Sequence, residues 1–267
     1  MIEKNLDYKI VASIEARMTS KRLPGKVLME SINDIPMLEF MIKRVLNSKK
    51  VNQIVVSTTT NKSDDSIVDL CKKLNIDYFR GSEEDVLKRV FETHKYFKSD
   101  IVVELTGDCP LIDAKIIDSC INFYLDNKFD YVSNAHVRSF PDGFDTQVFS
   151  YELLNKVNSL AKSDYDRENV TSFIYKDSQK SNFMIKAIIA DEKNYWPDLR
   201  VTLDDHGDYH LIKAIIKEFY PKKGFNFECF EIINFLKSNK KLLDFLVDVN
   251  KSYNPYQKIS NKFEKKI

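Results

Sequence analysis

The feature that most constrains this chain is an alternation: short β-branched, apolar runs are followed, time after time, by segments with helical spacing. "KIVASI" (9–14) leads through a loop to "DIPMLEFMIKRVLNS", whose apolar residues stand at 37, 38, 41, 42, 45 and 46. Asp34 is placed to cap that helix and Pro36 lies near its first turn. "QIVVST" leads to "DDSIVDLCKKL", where Ile67, Val68, Cys71 and Leu74 share a face, and "IDYF" leads to a helix over about 83–97. "DIVVEL" (100–105) leads to "DAKIIDSCINFYL", with Ile116, Ile117, Cys120, Ile121 and Tyr124 facing inward. Strands that read as unbroken apolar runs are buried on both faces. The pattern predicts an α/β fold of three layers, a mostly parallel sheet with helices on both faces, with ligands at the carboxyl edge of the strands.

From 131 the alternation loosens. "YVSN", "MIKAIIA" and "LRVTL" read as strands, "SFPDGFD" as a turn-rich loop, and 164–176 and 207–219 as helices; "FEIINFLKSNKKLLDFLVDV" keeps helical periodicity. These stretches predict one domain over 1–249, with a substrate-side and dimerisation region at about 131–200, a helical part at about 207–249, and a Lys-rich tail over 250–267. Lys and Arg number 41 against 40 Asp and Glu, so the chain lacks the basic excess that sequence-independent nucleic-acid binding uses. Any cationic function must be local. Cys71, Cys109, Cys120 and Cys229 form no CxxC pair and stand near no His cluster, which predicts reduced thiols in a cytoplasmic protein. "MIEKNLDYKIVASI" contains no apolar stretch long enough for a signal peptide or a span, so no membrane association is expected.

The local charge is in "ARMTSKRLPGKV" (16–27), where Arg17, Lys21, Arg22 and Lys26 occur without an acid directly after the first strand. Charge runs are ordinarily solvated surface. Position at the carboxyl edge of a buried strand, with Leu23-Pro24-Gly25 stiffening the middle, favours a loop that wraps a polyphosphate. A Walker A loop would need Gly at 20 and Ser or Thr at 27, where Ser20 and Val27 stand, and no GxGxxG is present. "VVELTGDCPLID" brings Asp108 to the same edge. Magnesium takes one or two protein carboxylates and completes its shell with phosphates and water, so Asp108 reads as a Mg²⁺ ligand and Asp113 as the cap of the next helix. In "LRVTLDDHGDY", Asp204 and Asp205 divide between a second metal ligand and a cap, and the residues alone leave open which is which. His206 and His210 are spaced i, i+4 without a third ligand pattern, and GxSxG is absent.

"ARMTSKRLPGKVL", "PMLEFMIKRV", "VVSTTTNKSDDSI", "FRGSEEDVLKRV", "VVELTGDCPLIDAKIID", "DYVSN", "PDGFDTQVFS", "YDRENVTSFIY" and "LRVTLDD" together resemble the spore-coat polysaccharide biosynthesis protein F family. That family is cytidylyltransferase-like and related to the synthetases that make CMP-activated KDO and sialic acids. The resemblance implies a nucleotide-diphospho-sugar transferase (GT-A-like) fold and a nucleotidyltransferase, CTP-dependent, that releases pyrophosphate. Carried over residue by residue, it implies triphosphate binding by Ala16, Arg17, Ser20, Arg22 and Lys26, with Arg17, Arg22 and Lys26 as the catalytic cations. It implies base and ribose reading by Arg80, Gly81 and Ser82, and Mg²⁺ binding by Asp108 and Asp204. The acceptor, a sugar, sugar acid or phosphorylated small molecule used in surface polysaccharide or glycoconjugate precursors, would meet Asn134, Asp142, Gly143, Asp145, Arg167 and Glu168. A homodimer is also implied. Three positions depart from the family: Glu15 stands where relatives usually have Gln, Asn169 where they have His, and "DDHGD" where they have a "DTPED"-like block. The alternatives are a glycosyltransferase of GT-A-like fold using a nucleotide-sugar donor, a non-catalytic nucleotide-binding protein, and a purely structural partner.

Overall fold

Val11, Ala12, Ser13 and Ile14 are all fully buried, as a strand flanked by a neighbour on each edge and a helix on each face requires. The computed structural model describes residues 8–176 and 182–246, so the Lys-rich tail expected over 250–267 lies outside the described residues. The first half runs β1 (Ile10–Glu15), β2 (Glu30–Ile32), β3 (Ile35–Pro36), α1 (Met37–Val45), β4 (Gln53–Thr59), α2 (Asp65–Leu74), β5 (Asp77–Gly81), α3 (Val86–Tyr96), β6 (Ile101–Thr106) and α4 (Ala114–Asp126). The second half runs β7 (Tyr131–Ser133), β8 (Gln147–Ser150), α5 (Tyr151–Leu160), α6 (Asp164–Glu168), α7 (Ser172–Tyr175), β9 (Ile185–Ala187), α8 (His206–Lys223) and α9 (Cys229–Ser238). The main sheet has the order β5-β4-β1-β6-β8-β7-β9. Every pairing in it is parallel except those of β8, which runs antiparallel to β6 and β7.

The sheet buries a different core on each side. Ala12 and Ile14 join Leu38, Ile42, Ile117, Ile121 and Ile215 of α1, α4 and α8 in one cluster. On the other side Val102 and Phe149 pack with Leu87, Val90 and Val157 of α3 and α5. This is the expected three-layer, mostly parallel α/β architecture. No helix among the described residues is long and apolar enough to cross a membrane.

Several local expectations are corrected. Asp34 does not cap α1: Asn33 and Asp34 have φ of 50° and 60°, the left-handed turn of a small β2–β3 hairpin, and Pro36 precedes the helix instead. "QVFS" is a strand, and it alone interrupts the parallel order. "LRVTL" is extended but forms only an isolated bridge, Asp142 to Arg200. Residues 164–176 divide into two short helices, because Asp166 accepts hydrogen bonds from Ser172 Oγ (2.7 Å) and Lys176 and so ties the end of the stretch back on its start.

Candidate active site

Strand β1 lies between β4 and β6, so the loops leaving β1 and β6 part at the carboxyl edge and open a crevice at the switch point. Their exits are held very close. Gly107 N donates to Glu15 O at 2.9 Å, and a Cβ at position 107 would come within 2.6 Å of that carbonyl, so no other residue fits there.

Into this crevice the β1 loop sends Lys26, whose Nζ stands 3.1 Å from Asp108 Oδ2 and 2.9 Å from Asp204 Oδ1. Arg22 Nη2 reaches the same Asp204 oxygen at 2.9 Å. Burial alone would discharge Lys26, but the two aspartates outweigh it and hold the ammonium above its ordinary pKa. Burial likewise opposes ionisation of Asp108, and Lys26 with Thr106 overrides it, so this carboxyl lies below its usual range.

Asp204 arrives by backbone docking. Asp142 N donates to Leu199 O (2.9 Å), Val201 N to Asp142 O (2.8 Å) and Leu203 N to Asp108 O (2.7 Å), laying the extended segment 199–204 across both loops. Gly143 makes the approach possible: its φ is +113°, and a Cβ there would lie 2.9 Å from the Val201 carbonyl carbon. Asp205 instead caps α8, accepting from Asp208 N at 3.0 Å within a reciprocal capping box. Tertiary placement thus separates two adjacent aspartates that the sequence left equivalent.

The remaining cationic loop is held by acids the sequence reading passed over. Buried Asp64 accepts from Met18 N (2.9 Å) through one oxygen and from Thr58 Oγ1 (3.1 Å), Thr59 N (3.2 Å) and Thr59 Oγ1 (2.6 Å) through the other. Glu83 accepts from Thr19 and Asn61 and pairs with Arg17 at 3.4 Å, and these partners depress its carboxyl pKa. Gly25 N closes the loop onto Met18 O at 2.8 Å, Ser20 lies in the turn so formed, and Lys21 is exposed. Ala16 is buried beneath it. Asp64 and Glu83 are both visible in "TTTNKSDD" and "RGSEED", but there they look like a helix cap and a surface charge.

Arg80 and Gly81 end β5 beside this loop, and Ser82 follows them. The Arg80 guanidinium is already engaged with Thr59 O (2.8 Å), Asn61 O (2.7 Å) and Asp65 (2.7 Å), bracing the β4 loop. Gly81 leaves room for the Arg89 stem, which a Cβ would meet at 2.9 Å, and Ser82 Oγ accepts from Asp85 N at 3.0 Å.

Of the residues expected on the acceptor side, Asn134, Asp142, Gly143 and Asp145 gather in one loop next to Asp108 and Asp204. Asn134 is wholly buried and shapes that loop, donating to Phe144 O (2.8 Å) and accepting from Thr146 N (2.7 Å). Arg138 pairs with both Asp145 (3.0 Å) and Asp142 (3.3 Å). Burial, opposed by Arg138 and reinforced by Asp145, Asp108 and Asp204, pushes Asp142 up to about 7. Arg167 and Glu168 do not join this group. Arg167 is a bracket between helices, forked onto Asp85 (2.8 Å twice) and Asn158, while Glu168 is exposed on α6. Asn169 donates to Tyr165 O at 2.8 Å.

The donor set suits a hard divalent cation in company with phosphate. Asp108 and Asp204 aim oxygens at one point, now taken by an ammonium. No three metal-binding side chains are grouped anywhere among the described residues, His206 and His210 included. Two carboxylates are what magnesium uses when phosphate oxygens complete its shell.

The fold is an open α/β sheet of the kind that binds ligands at its switch point, where these charged groups meet. The cytidylyltransferase family profile matches residues 11–241, and the chain belongs to that family. It is 36% identical over 248 residues, 92% of this chain and 98% of the relative, to an uncharacterized protein of Methanocaldococcus jannaschii. It is 32% identical over 220 residues, 80% of this chain and 88% of the relative, to the spore coat polysaccharide biosynthesis protein SpsF of Bacillus subtilis. Its structure matches a cytidylyltransferase from Leptospira borgpetersenii with a TM-score of 0.83 at 31% identity, covering 92% of this chain and 100% of that one. The protein is a nucleotidyltransferase.

Proposed function

We propose that the protein transfers a cytidylyl group from CTP to an oxygen of a sugar, sugar acid or phosphorylated sugar-like acceptor, for surface polysaccharide or glycoconjugate precursors. The observation that carries this reading is the meeting of Lys26, Asp108 and Asp204 at the switch point of the sheet. The acceptor oxygen attacks the α-phosphorus, the bond to the β-phosphate oxygen breaks, and pyrophosphate leaves; a hydroxyl acceptor also loses its proton. Negative charge then grows on the departing pyrophosphate. Arg17, Arg22 and Lys26 lie on one loop that Asp64 and Glu83 hold in place, so their backbone is already positioned to bring them to that charge. Asp108 and Asp204 would hold Mg²⁺, which neutralises phosphate charge and orients the α-phosphate when bound. Arg80, Gly81 and Ser82 border the nucleotide side, while Asp142 and Asp145 border the acceptor side with Arg138 between them.

The test is pyrophosphate release with each of the four ribonucleoside triphosphates and a panel of sugars, sugar acids and sugar phosphates, with products read by mass. Arg22→Ala and Asp108→Asn should each lower turnover on the order of 10²-fold. Wild-type rates in both variants would remove the site assignment, and release of nucleoside diphosphate instead of pyrophosphate would remove the reaction.

A further inference from the structure

Lys26 occupies the point on which two carboxylates converge, and it is fixed there. It is only 8% exposed and opens a 3-10 turn, Lys26–Leu28, closed by Leu28 N to Gly25 O (2.9 Å) and Met29 N to Lys26 O (3.2 Å). Arg22, more than half exposed at its side chain, shares the Asp204 oxygen from the solvent side. Asp108 and Asp204 are thereby neutralised by Lys26 and Arg22 in a partly buried crevice, with Arg200 Nη1 4.0 Å from the other Asp204 oxygen. The charges are also placed so that each cation blocks an oxygen a metal would need.

Resting on the functional reading above and deepening it, we propose that Lys26 and Arg22 are internal counter-cations that make divalent-metal binding at Asp108 and Asp204 conditional on a bound triphosphate. A divalent ion arriving alone meets two fixed positive charges within a few ångströms of its ligands, where like-charge repulsion exceeds thermal energy several-fold. It must also displace the buried Lys26 ammonium, which then has no partner in a crevice of this burial, and turn Arg22 out into water. A triphosphate reverses both terms. Its oxygens accept from Arg22 and Lys26, the cations keep full partners, and the carboxylate oxygens of Asp108 and Asp204 come free together. The exchange conserves charge pairing at every group. Metal binding and nucleotide binding are therefore positively coupled, through residues that contact both ligands rather than through a conformational change.

The coupling is read apart from catalysis with Mn²⁺ and water-proton relaxation, which is enhanced when the ion tumbles with the protein. Without nucleotide, wild type should show no enhancement at Mn²⁺ concentrations where Lys26→Met does, a shift in affinity on the order of tenfold or more. Arg22→Gln, at a side chain that keeps the core intact, should shift affinity in the same direction by less, and keeps the comparison available if Lys26→Met does not fold. Adding Asp108→Asn to Lys26→Met should abolish the gain, and CTP should restore enhancement in wild type. Wild type binding Mn²⁺ alone as tightly as the single variants, with CTP enhancing normally, would overturn the coupling and leave the functional reading standing. Absence of enhancement in every protein, with or without CTP, would remove the metal site and the coupling with it.

Discussion

Glu15 on β1 and Glu104 on β6 lie on one face of the sheet, Glu104 level with Ser13 and Glu15 two residues further along, close enough for each carboxyl to act on the other. Ser13 Oγ donates to Glu15 Oε1 at 2.9 Å and Gln147 donates to Glu104, while Glu15 Oε2 is buried with no donor facing it. A proton retained on one of the two acids would supply the missing bond. Burial first, then the neighbouring carboxylate, raises Glu15 well above its ordinary pKa; burial first, then Asp145 and Asp108, raises Glu104.

The native state therefore keeps a proton that the unfolded chain releases near the usual glutamate pKa. Stability is full below that value and declines as pH rises toward the raised native one, by up to about 1.4 kcal/mol per pH unit for one proton. Glu15→Gln presents an amide donor to Glu104 at every pH, so it should be more stable than wild type at pH 8 and show a flatter curve. Thermal melts between pH 4 and 9 check this, and parallel curves for the two proteins would refute it.

Arg44 is the second buried charge with a structural duty. Its guanidinium donates to Ile112 O (2.8 Å), Leu111 O (3.1 Å), Phe225 O (2.9 Å) and Phe227 O (2.7 Å) and lies 3.9 Å over the Phe227 ring, and burial lowers its pKa to about 10. It thus joins the loop that carries Asp108 to the α8–α9 connection. Arg44→Met orphans four carbonyls and should cost about 3–5 kcal/mol in urea unfolding. A loss under about 1 kcal/mol would show that water replaces the guanidinium.

Glu83 gathers Thr19, Asn61 and Arg17 and so arranges the cationic loop before any ligand arrives. Glu83→Ala should raise the KM for the triphosphate by roughly tenfold, the cost of ordering the loop on binding, with a smaller effect on kcat. An unchanged KM would mean that the loop is ordered without it.

Gly143→Ala places a Cβ against the Val201 backbone at a φ of +113°. The strain should cost about 1–3 kcal/mol, and the push on segment 199–204 should lower turnover by displacing Asp204. A variant with wild-type stability and turnover would separate the two loops.

Much was legible along the chain. The strand–helix alternation from 9 to 126 reports burial on both faces of β1, β4 and β6, and the cationic loop falls at the sheet edge because it follows the first of those strands. Asp113 is recognisable as the α4 cap, where it accepts from Lys115 N at 2.8 Å. Short elements were not: β8 has four residues, too few to show a period, and its antiparallel place depends on pairing with β6. The Asp34 cap failed because a hairpin turn uses that residue, and a hairpin of two- and three-residue strands carries no hydrophobic pattern.

By itself the sequence determined the layered α/β fold and the stretch where positive charge gathers, because strand burial, helix faces and loop composition are local properties of the chain, while the family came from the resemblance of its motifs taken in order. Only the tertiary structure decided that Lys26 faces both Asp108 and Asp204, that Arg167 is a bracket and that Glu15 comes to lie beside Glu104. Each of those depends on contacts between residues tens to nearly two hundred positions apart or on backbone docking, and such distances are set by packing rather than by any spacing along the chain.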